Sequence, residues 1–182
     1  MASQNHLSCA FLMMTTILVL SPNVKAIPAI PAIPDMGPMT PFCKFAEYPA
    51  LCKSIVKVGS GADSGSFAIQ SAIQATMLQA KQTMTTINKL IATTQDNAVK
   101  GSLQTCSELY DSAISDLGTS LQNLKDKERE DMRINLSAVM TDFDTCTDSF
   151  NEVSVDSPIA KVNQLLYQLS TNCLNLASHL KL

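Results

Sequence analysis

Four long stretches of the sequence repeat apolar residues at steps of three and four, and this spacing constrains the fold more than any other feature. The stretches cover about 66–94, 98–124, 130–151 and 158–180. Residues three and four apart lie on one side of an α-helix, so each stretch predicts an amphipathic helix with one buried face. No stretch alternates with period two for long enough to predict a strand. The short connections predict an up-and-down four-helix bundle over 66–181.

A shorter segment, 42–59, precedes the bundle and is interrupted at Tyr48-Pro49. Proline disfavours a helical conformation in the residue before it, so the segment predicts two short helices folded as a hairpin. The chain has 182 residues and is 46% hydrophobic, which is enough apolar material for one core. We therefore expect an all-α fold, with a short helical hairpin followed by a four-helix bundle, in one domain over 42–182.

The N-terminal region predicts secretion. Residues 1–26 combine a polar start, an apolar run from Cys9 to Leu20 and a small-x-small exit at Val24-Lys25-Ala26, as in a signal peptide. The apolar run is shorter than the ~20 residues that a membrane-spanning helix needs, so we expect no membrane anchor. Residues 26–34 repeat Ala-Ile-Pro three times and further prolines follow at 38 and 41, so residues 27–41 are predicted to form an extended Pro-rich linker.

Five cysteines remain after residue 26, at 43, 52, 106, 146 and 173. An extracellular chain favours disulfides over metal ligands. The short interval between Cys43 and Cys52 fits a bridge within the hairpin, and Cys106 and Cys146 lie on the inward faces of consecutive antiparallel helices. We therefore predict the bridges Cys43–Cys52 and Cys106–Cys146. Cys173, on the apolar stripe of the last helix, is expected to be a buried, inert free thiol.

Charge and residue inventory argue against several classes of function. Removing 1–26 takes away one of the 13 basic residues and none of the 16 acidic ones, which leaves a net charge of −4 without a basic cluster. Nucleic acid is therefore not an expected partner. One histidine, His179, remains, and no Gly-rich phosphate loop is present, so we expect no enzymatic activity, metal or cofactor. Carboxylate pairs such as Asp142 with Asp144 predict a solvated helix face.

One sequence motif predicts a covalent modification. Asn135-Leu136-Ser137 is an acceptor sequence for N-glycosylation and lies near the start of the third bundle helix. Asn135 is therefore a candidate glycosylation site, and a glycan there would have to project away from any binding face.

Several local motifs together resemble one protein family. They are Pro41-Phe42-Cys43, Tyr48-Pro49-x-x-Cys52, Cys106-Ser107-Glu108-x-Tyr110, Leu136-Ser137-Ala138 and Thr145-Cys146-x-Asp148-x-Phe150. In this combination the chain from Cys43 to Leu180 resembles the plant invertase and pectin methylesterase inhibitors. The resemblance implies the same hairpin and bundle, and the same two bridges.

The resemblance also implies a function and a location. Members of this family inhibit pectin methylesterases or acid invertases in the cell wall or vacuole, by forming a protein complex that covers the active-site cleft. The chain lacks the Pro-Lys-Phe motif that cell-wall invertase inhibitors often carry before the third bundle helix, and this favours pectin methylesterase as the partner. We expect a secreted protein of the apoplast or cell wall that is monomeric before it binds.

Candidate contact residues follow from the same resemblance. Glu108, Thr145 and Asp148 match polar contact positions, and Ser112 and Ser115 stand where a well-known inhibitor has acidic residues. The alternative for Thr145 and Asp148 is helix-surface solubility and local hydrogen bonding. Because the surface is acidic, we expect the complex to be pH-sensitive.

Two other functions stay open as alternatives. One is a secreted helical bundle that binds a small apolar ligand without inhibiting an enzyme, and the other is an allergen-like pollen or seed protein with no inhibitory target. A third function, the pro-region of a larger methylesterase, is not expected because the sequence ends at Leu182 without a catalytic domain.

Overall fold

The computed structural model describes residues 41–57 and 64–181, and every structural statement below concerns these residues. The predicted signal peptide and the Pro-rich linker lie outside them, apart from Pro41. The helical elements are a 3₁₀ turn at Cys43–Phe45, α1 at Pro49–Ile55, α2 at Ser64–Thr93, α3 at Asn97–Asp126, α4 at Arg129–Glu152 and α5 at Ala160–His179. The described ranges contain no strand, and none of their helices is long and apolar enough to cross a membrane.

Helices α2 to α5 form the predicted up-and-down bundle. Helix α3 packs on α2 and α4, and α5 packs on the same two helices from the opposite side. Helices α2 and α4 are therefore diagonal to each other, as are α3 and α5. The all-α fold with a hairpin and a four-helix bundle is confirmed.

The seam between α3 and α4 is the most extensive helix contact in the described structure, and small side chains line part of it. The bridge Cys106–Cys146 joins the two helices with a Cα–Cα distance of 4.8 Å. Next to the bridge, Ser102 Oγ donates to the backbone O of Ser149 at 2.8 Å. Small residues allow this close approach, so α3 and α4 behave as one rigid pair.

A buried polar group fixes how α5 packs on that pair. Tyr110 Oη donates to Asn163 Oδ1 at 2.8 Å, and Asn163 Nδ2 donates to the backbone O of Phe143 at 2.6 Å and to Thr147 Oγ1 at 2.9 Å. The rings of Tyr110 and Phe143 also pack edge to face, with centroids 5.1 Å apart. Because every side-chain polar atom of Tyr110 and Asn163 has a partner, the hydrogen bonds offset the cost of burying these groups. The same bonds fix the register of α5 against α3 and α4.

The hairpin is attached to the bundle by an amide side chain of α5. The backbone N–H of Tyr48 donates to Asn172 Oδ1 at 2.9 Å, and Asn172 Nδ2 donates to the backbone O of Tyr48 at 3.0 Å. Within the hairpin, Cys43 and Cys52 form a bridge with a Cα–Cα distance of 5.7 Å. The hairpin is thereby closed on itself and tied to α5.

The helix ends show local chemistry that the sequence predicted in part. Asp96 caps α3 by accepting from the backbone N–H groups of Ala98 at 2.9 Å and Val99 at 3.1 Å. The α3–α4 corner turns at Lys127, which has a left-handed φ of 62°. The fourth predicted stretch, about 158–180, forms α5 from Ala160, and Ser157 Oγ accepts from the backbone N–H of Ile159 in a turn before the helix begins.

Candidate partner-binding surface on α3 and α4

The candidate contact residues lie on two adjacent helices. Glu108, Ser112 and Ser115 follow one another at steps of four and three on α3, and all three side chains are exposed. Thr145 and Asp148 are three residues apart on α4 and are also exposed. We call the exposed sides of α3 and α4 that carry these five residues the α3–α4 surface.

Residues of the two helices meet across the seam next to both rows. Thr145 and Asp148 border an open depression of about 470 Å³ together with Gly101 and Thr105 of α3. About two turns beyond Thr105 along α3, Ser112 lies beside the carboxyl group of Asp142. No atom lies within 4 Å of where a Cβ of Gly101 would be, so the floor of the depression is open at that point.

The central turns of α3 and α4 carry acidic residues and no basic ones. Residues 101–124 and 134–152 contain no lysine, arginine or histidine. Their acidic residues are Glu108, Asp111, Asp116, Asp142, Asp144, Asp148 and Glu152. A surface of one charge sign attracts a partner of the opposite sign and steers its approach.

Two of these carboxyl groups, on α3 and α4, are close enough for one charge to affect the pKa of the other. Burial raises the pKa of Asp142 above its ordinary value, Ser112 partly offsets the rise, and the charge of Asp116 adds to it. Burial also raises the pKa of Asp116. The oxygen Oδ2 of Asp142 is inaccessible to solvent and makes no hydrogen bond with the described residues. The expected solvated face therefore holds for Asp144, which is exposed, but not for Asp142, which is half-buried because it lies against α3 beside Ser112.

Asn135 lies half-buried at the α3–α4 corner, where its side chain is already engaged. Its Nδ2 atom donates to Asn123 Oδ1 at 2.9 Å, and Asn123 Nδ2 donates to Glu128 Oε2 at 2.9 Å. N-glycosylation modifies that same Nδ2 atom of asparagine, so a glycan would compete with the hydrogen bond in the folded protein. Glycosylation of Asn135 stays a prediction.

Cys173 is buried between α5 and α2 and is not part of a disulfide. Its Sγ atom lies 3.6 Å from Thr76 Oγ1, and burial raises the pKa of the thiol to about 12. The thiolate is the reactive form of cysteine, so this thiol is inert at physiological pH. Among the described residues, no three histidine, cysteine or acidic side chains are grouped so that they could hold a metal ion.

A sequence model described as plant invertase/pectin methylesterase inhibitor matches residues 39–176, which include the hairpin, both bridges and most of the bundle. The chain belongs to this family. The match includes all five candidate contact residues of the α3–α4 surface.

Some curated relatives are named pectinesterase inhibitors and others are named invertase inhibitors. The chain is 37% identical over 81 residues to "Pectinesterase inhibitor" from Actinidia deliciosa, with 44% of each chain covered. It is 36% identical over 66 residues to "Pectinesterase inhibitor 12" from Arabidopsis thaliana, covering 36% of this chain and 38% of the relative. It is 30% identical over 113 residues to "Putative invertase inhibitor" from Platanus orientalis, with 62% of each chain covered. Each match spans less than two thirds of the relative's length.

Solved structures support the fold. A crystal structure of a pectin methylesterase inhibitor from Arabidopsis thaliana superimposes with a TM-score of 0.61 at 21% identity, covering 79% of this chain and 96% of that one. A mutant form of a pectin methylesterase inhibitor from Arabidopsis gives a TM-score of 0.67, also at 21% identity, covering 79% and 97%. At 21% identity, the structural similarity shows the fold of this chain and no more.

Proposed function

We propose that this protein is a secreted inhibitor of a pectin methylesterase, which it binds as a monomer in a 1:1 complex that covers the active-site cleft. The observation that carries the proposal is the cation-free acidic α3–α4 surface on a member of an inhibitor family. The protein itself acts by binding and catalyses no reaction. The apoplast or cell wall is the location where it would meet its target.

The geometry of the α3–α4 surface suits this role. The Cys106–Cys146 bridge and the short Ser102–Ser149 hydrogen bond hold α3 and α4 in fixed relation. A rigid surface loses little conformational entropy on binding, which favours a stable complex. A standard interface of ~1,600 Å² would be large enough to exclude a polymeric substrate sterically. Glu108, Ser112, Ser115, Thr145 and Asp148 are the proposed contact residues.

Acid invertase is the second candidate target. It is favoured by the similarity to "Putative invertase inhibitor" proteins of Platanus orientalis and Platanus acerifolia, each aligned over 62% of this chain. The absence of a Pro-Lys-Phe motif before α4 still favours the methylesterase.

The direct test measures inhibition of one pectin methylesterase and one acid invertase side by side, with the oxidised protein that begins at residue 27. We expect near-stoichiometric inhibition of the methylesterase and no effect on the invertase. The reverse result would assign the protein to invertase. If neither enzyme is inhibited and mass spectrometry finds a bound apolar molecule, the protein is a ligand carrier and the proposal is wrong.

A further inference from the structure

The last turn of α5 is contacted by two arginines of α4. Arg129 Nη1 donates to the backbone O of Leu180 at 3.3 Å, and Arg133 Nε donates to Ser178 Oγ at 3.1 Å. Cations near the C-terminus of a helix satisfy its last carbonyl groups and its dipole. These two arginines are sufficient for that structural role.

Further cations reach the same turn from the hairpin and from the end of the chain. The rings of Phe45 and His179 stack with centroids 4.1 Å apart and an interplanar angle of 10°. Lys44 Nζ lies over the ring of Phe45, 4.7 Å from its centroid. Lys181 borders a cavity next to the same pair of rings. The number of cations therefore exceeds what capping of α5 requires.

We call the group formed by Lys44, Arg129, Arg133, His179 and Lys181 the α5-end basic cluster. Glu130 pairs with both arginines, at 3.0 Å from Arg129 and 2.6 Å from Arg133. The hairpin contributes one more exposed acid, Glu47, and two further exposed lysines, Lys53 and Lys57. The start of α4 adds the exposed acids Glu128 and Asp131. Six of these side chains are lysine or arginine and four are acidic, in contrast to the acidic α3–α4 surface.

A cavity of about 240 Å³ lies beside the cluster. Its lining combines the rings of Phe42 and Phe45 with Leu176, Leu180 and the cationic Lys181. Sugar rings present apolar C–H faces that pack on aromatic rings, while carboxylates on the sugar pair with arginine and lysine. Aromatic and apolar groups next to several cations therefore fit a sugar chain that carries carboxylates.

We propose that the α5-end basic cluster and the adjoining cavity bind a polyuronate, an acidic polysaccharide built from sugar carboxylates. The choice of a polyuronate among polyanions rests on the proposed function, because removing methyl esters from pectin leaves carboxylates on the sugar chain. Asp142, which lies beside Ser112 of the α3–α4 surface, is nine residues from Arg133 on α4, which corresponds to ~14 Å along the helix axis. The cluster therefore lies towards the start of α4 from that point of the α3–α4 surface.

Calorimetric titration with an unesterified oligogalacturonate, in the absence of any enzyme, tests this site. The double variant Lys44→Gln with Lys181→Gln removes two exposed charges and should weaken binding about tenfold. The matched control Lys81→Gln with Lys89→Gln removes two exposed lysines of α2 and should bind like the wild type. Binding should also weaken as the salt concentration rises.

Several outcomes would contradict the polyuronate site. A fully methyl-esterified oligomer of the same length should bind at least tenfold more weakly, and equal binding would overturn the proposal. Equally tight binding of dextran sulfate would show that the cluster binds polyanions in general, and this result would also overturn the proposal. Equal affinity of the two double variants would show that Lys44 and Lys181 take no part.

Inhibition assays separate this site from the proposed function. The Lys44→Gln, Lys181→Gln variant should inhibit the methylesterase as the wild type does, because neither lysine lies on the α3–α4 surface. Wild-type protein that binds oligogalacturonate but does not inhibit the enzyme would contradict the proposed function alone. Wild-type protein that inhibits but does not bind would contradict the polyuronate site alone.

Discussion

Asp142 shows how one side chain couples the α3–α4 surface to pH. Its carboxyl group is half-buried, one oxygen makes no hydrogen bond with the described residues, and Asp116 lies across the seam. A carboxyl whose pKa is raised in the folded state binds more protons there than in the unfolded state. The free energy of unfolding therefore falls as pH rises through the range just above the ordinary aspartate pKa of about 3.9.

The first prediction at residue scale concerns this aspartate. Asp142→Asn should raise the free energy of unfolding near neutral pH, by no more than about 1 kcal/mol because solvent still screens the group. The gain should vanish as pH falls and the wild-type carboxyl becomes protonated. Urea unfolding across pH measures it, with the exposed Asp144→Asn as control. An equal gain at acidic pH would mean that charge is not the cause.

The second prediction at residue scale tests the contact residues. If the proposed function holds, the charge reversals Glu108→Lys and Asp148→Lys should each weaken inhibition of the target enzyme about tenfold or more, because each reversal removes an acid from the surface proposed to attract a partner of opposite charge. Asp156→Lys, in the α4–α5 connection, serves as a matched reversal outside the five contact residues and should change inhibition less. Inhibition constants at two salt concentrations provide the measurement. If all three reversals weakened inhibition equally, the net charge of the protein would explain the effect and the proposed contact residues would have no special role.

At the scale of elements, the hairpin depends on α5 as well as on its own bridge. Asn172 satisfies both backbone groups of Tyr48, so its amide acts as a peptide group would in a neighbouring strand. Asn172→Ala should lower the free energy of unfolding by about 1–3 kcal/mol, because two partly buried polar groups lose their partners. Hydrogen exchange at the Tyr48 amide should accelerate. Asn175→Ala, three residues later on α5, is the control, and unchanged exchange in Asn172→Ala would contradict this role.

At the scale of the whole molecule, the two bridges stabilise the fold unequally. Cys106–Cys146 spans 40 residues and Cys43–Cys52 spans 9. Removing the bridge should lower the free energy of unfolding by at most ~3.9 kcal/mol for the longer loop and at most ~2.7 kcal/mol for the shorter one. Replacing Cys106 and Cys146 by alanine should therefore lower the free energy of unfolding more than replacing Cys43 and Cys52. Denaturant unfolding of the two variants measures the difference. A larger loss from the hairpin pair would instead indicate that hairpin docking controls global stability.

The bundle helices, the hairpin and the positions of the bridges could be predicted from the sequence because they depend on local periodicity. Apolar spacing marks which face of each helix is buried, and Cys106 and Cys146 fall on such faces. The motifs around those cysteines also identified Glu108, Thr145 and Asp148 as candidates. Secretion, glycosylation of Asn135 and the contact roles stay predictions.

Only the tertiary structure decided which residues meet across helices. The spacing of apolar residues is the same whether or not Asp142 faces Asp116, because relative register depends on how neighbouring side chains interlock. For the same reason, nothing local to α5 indicates that Asn172 holds Tyr48, more than 100 residues away. The gathering of Lys44, Arg133 and Lys181 around one helix end likewise required the packed molecule. Local sequence sets the buried face of each element, whereas packing between elements sets the charge pattern of the surface.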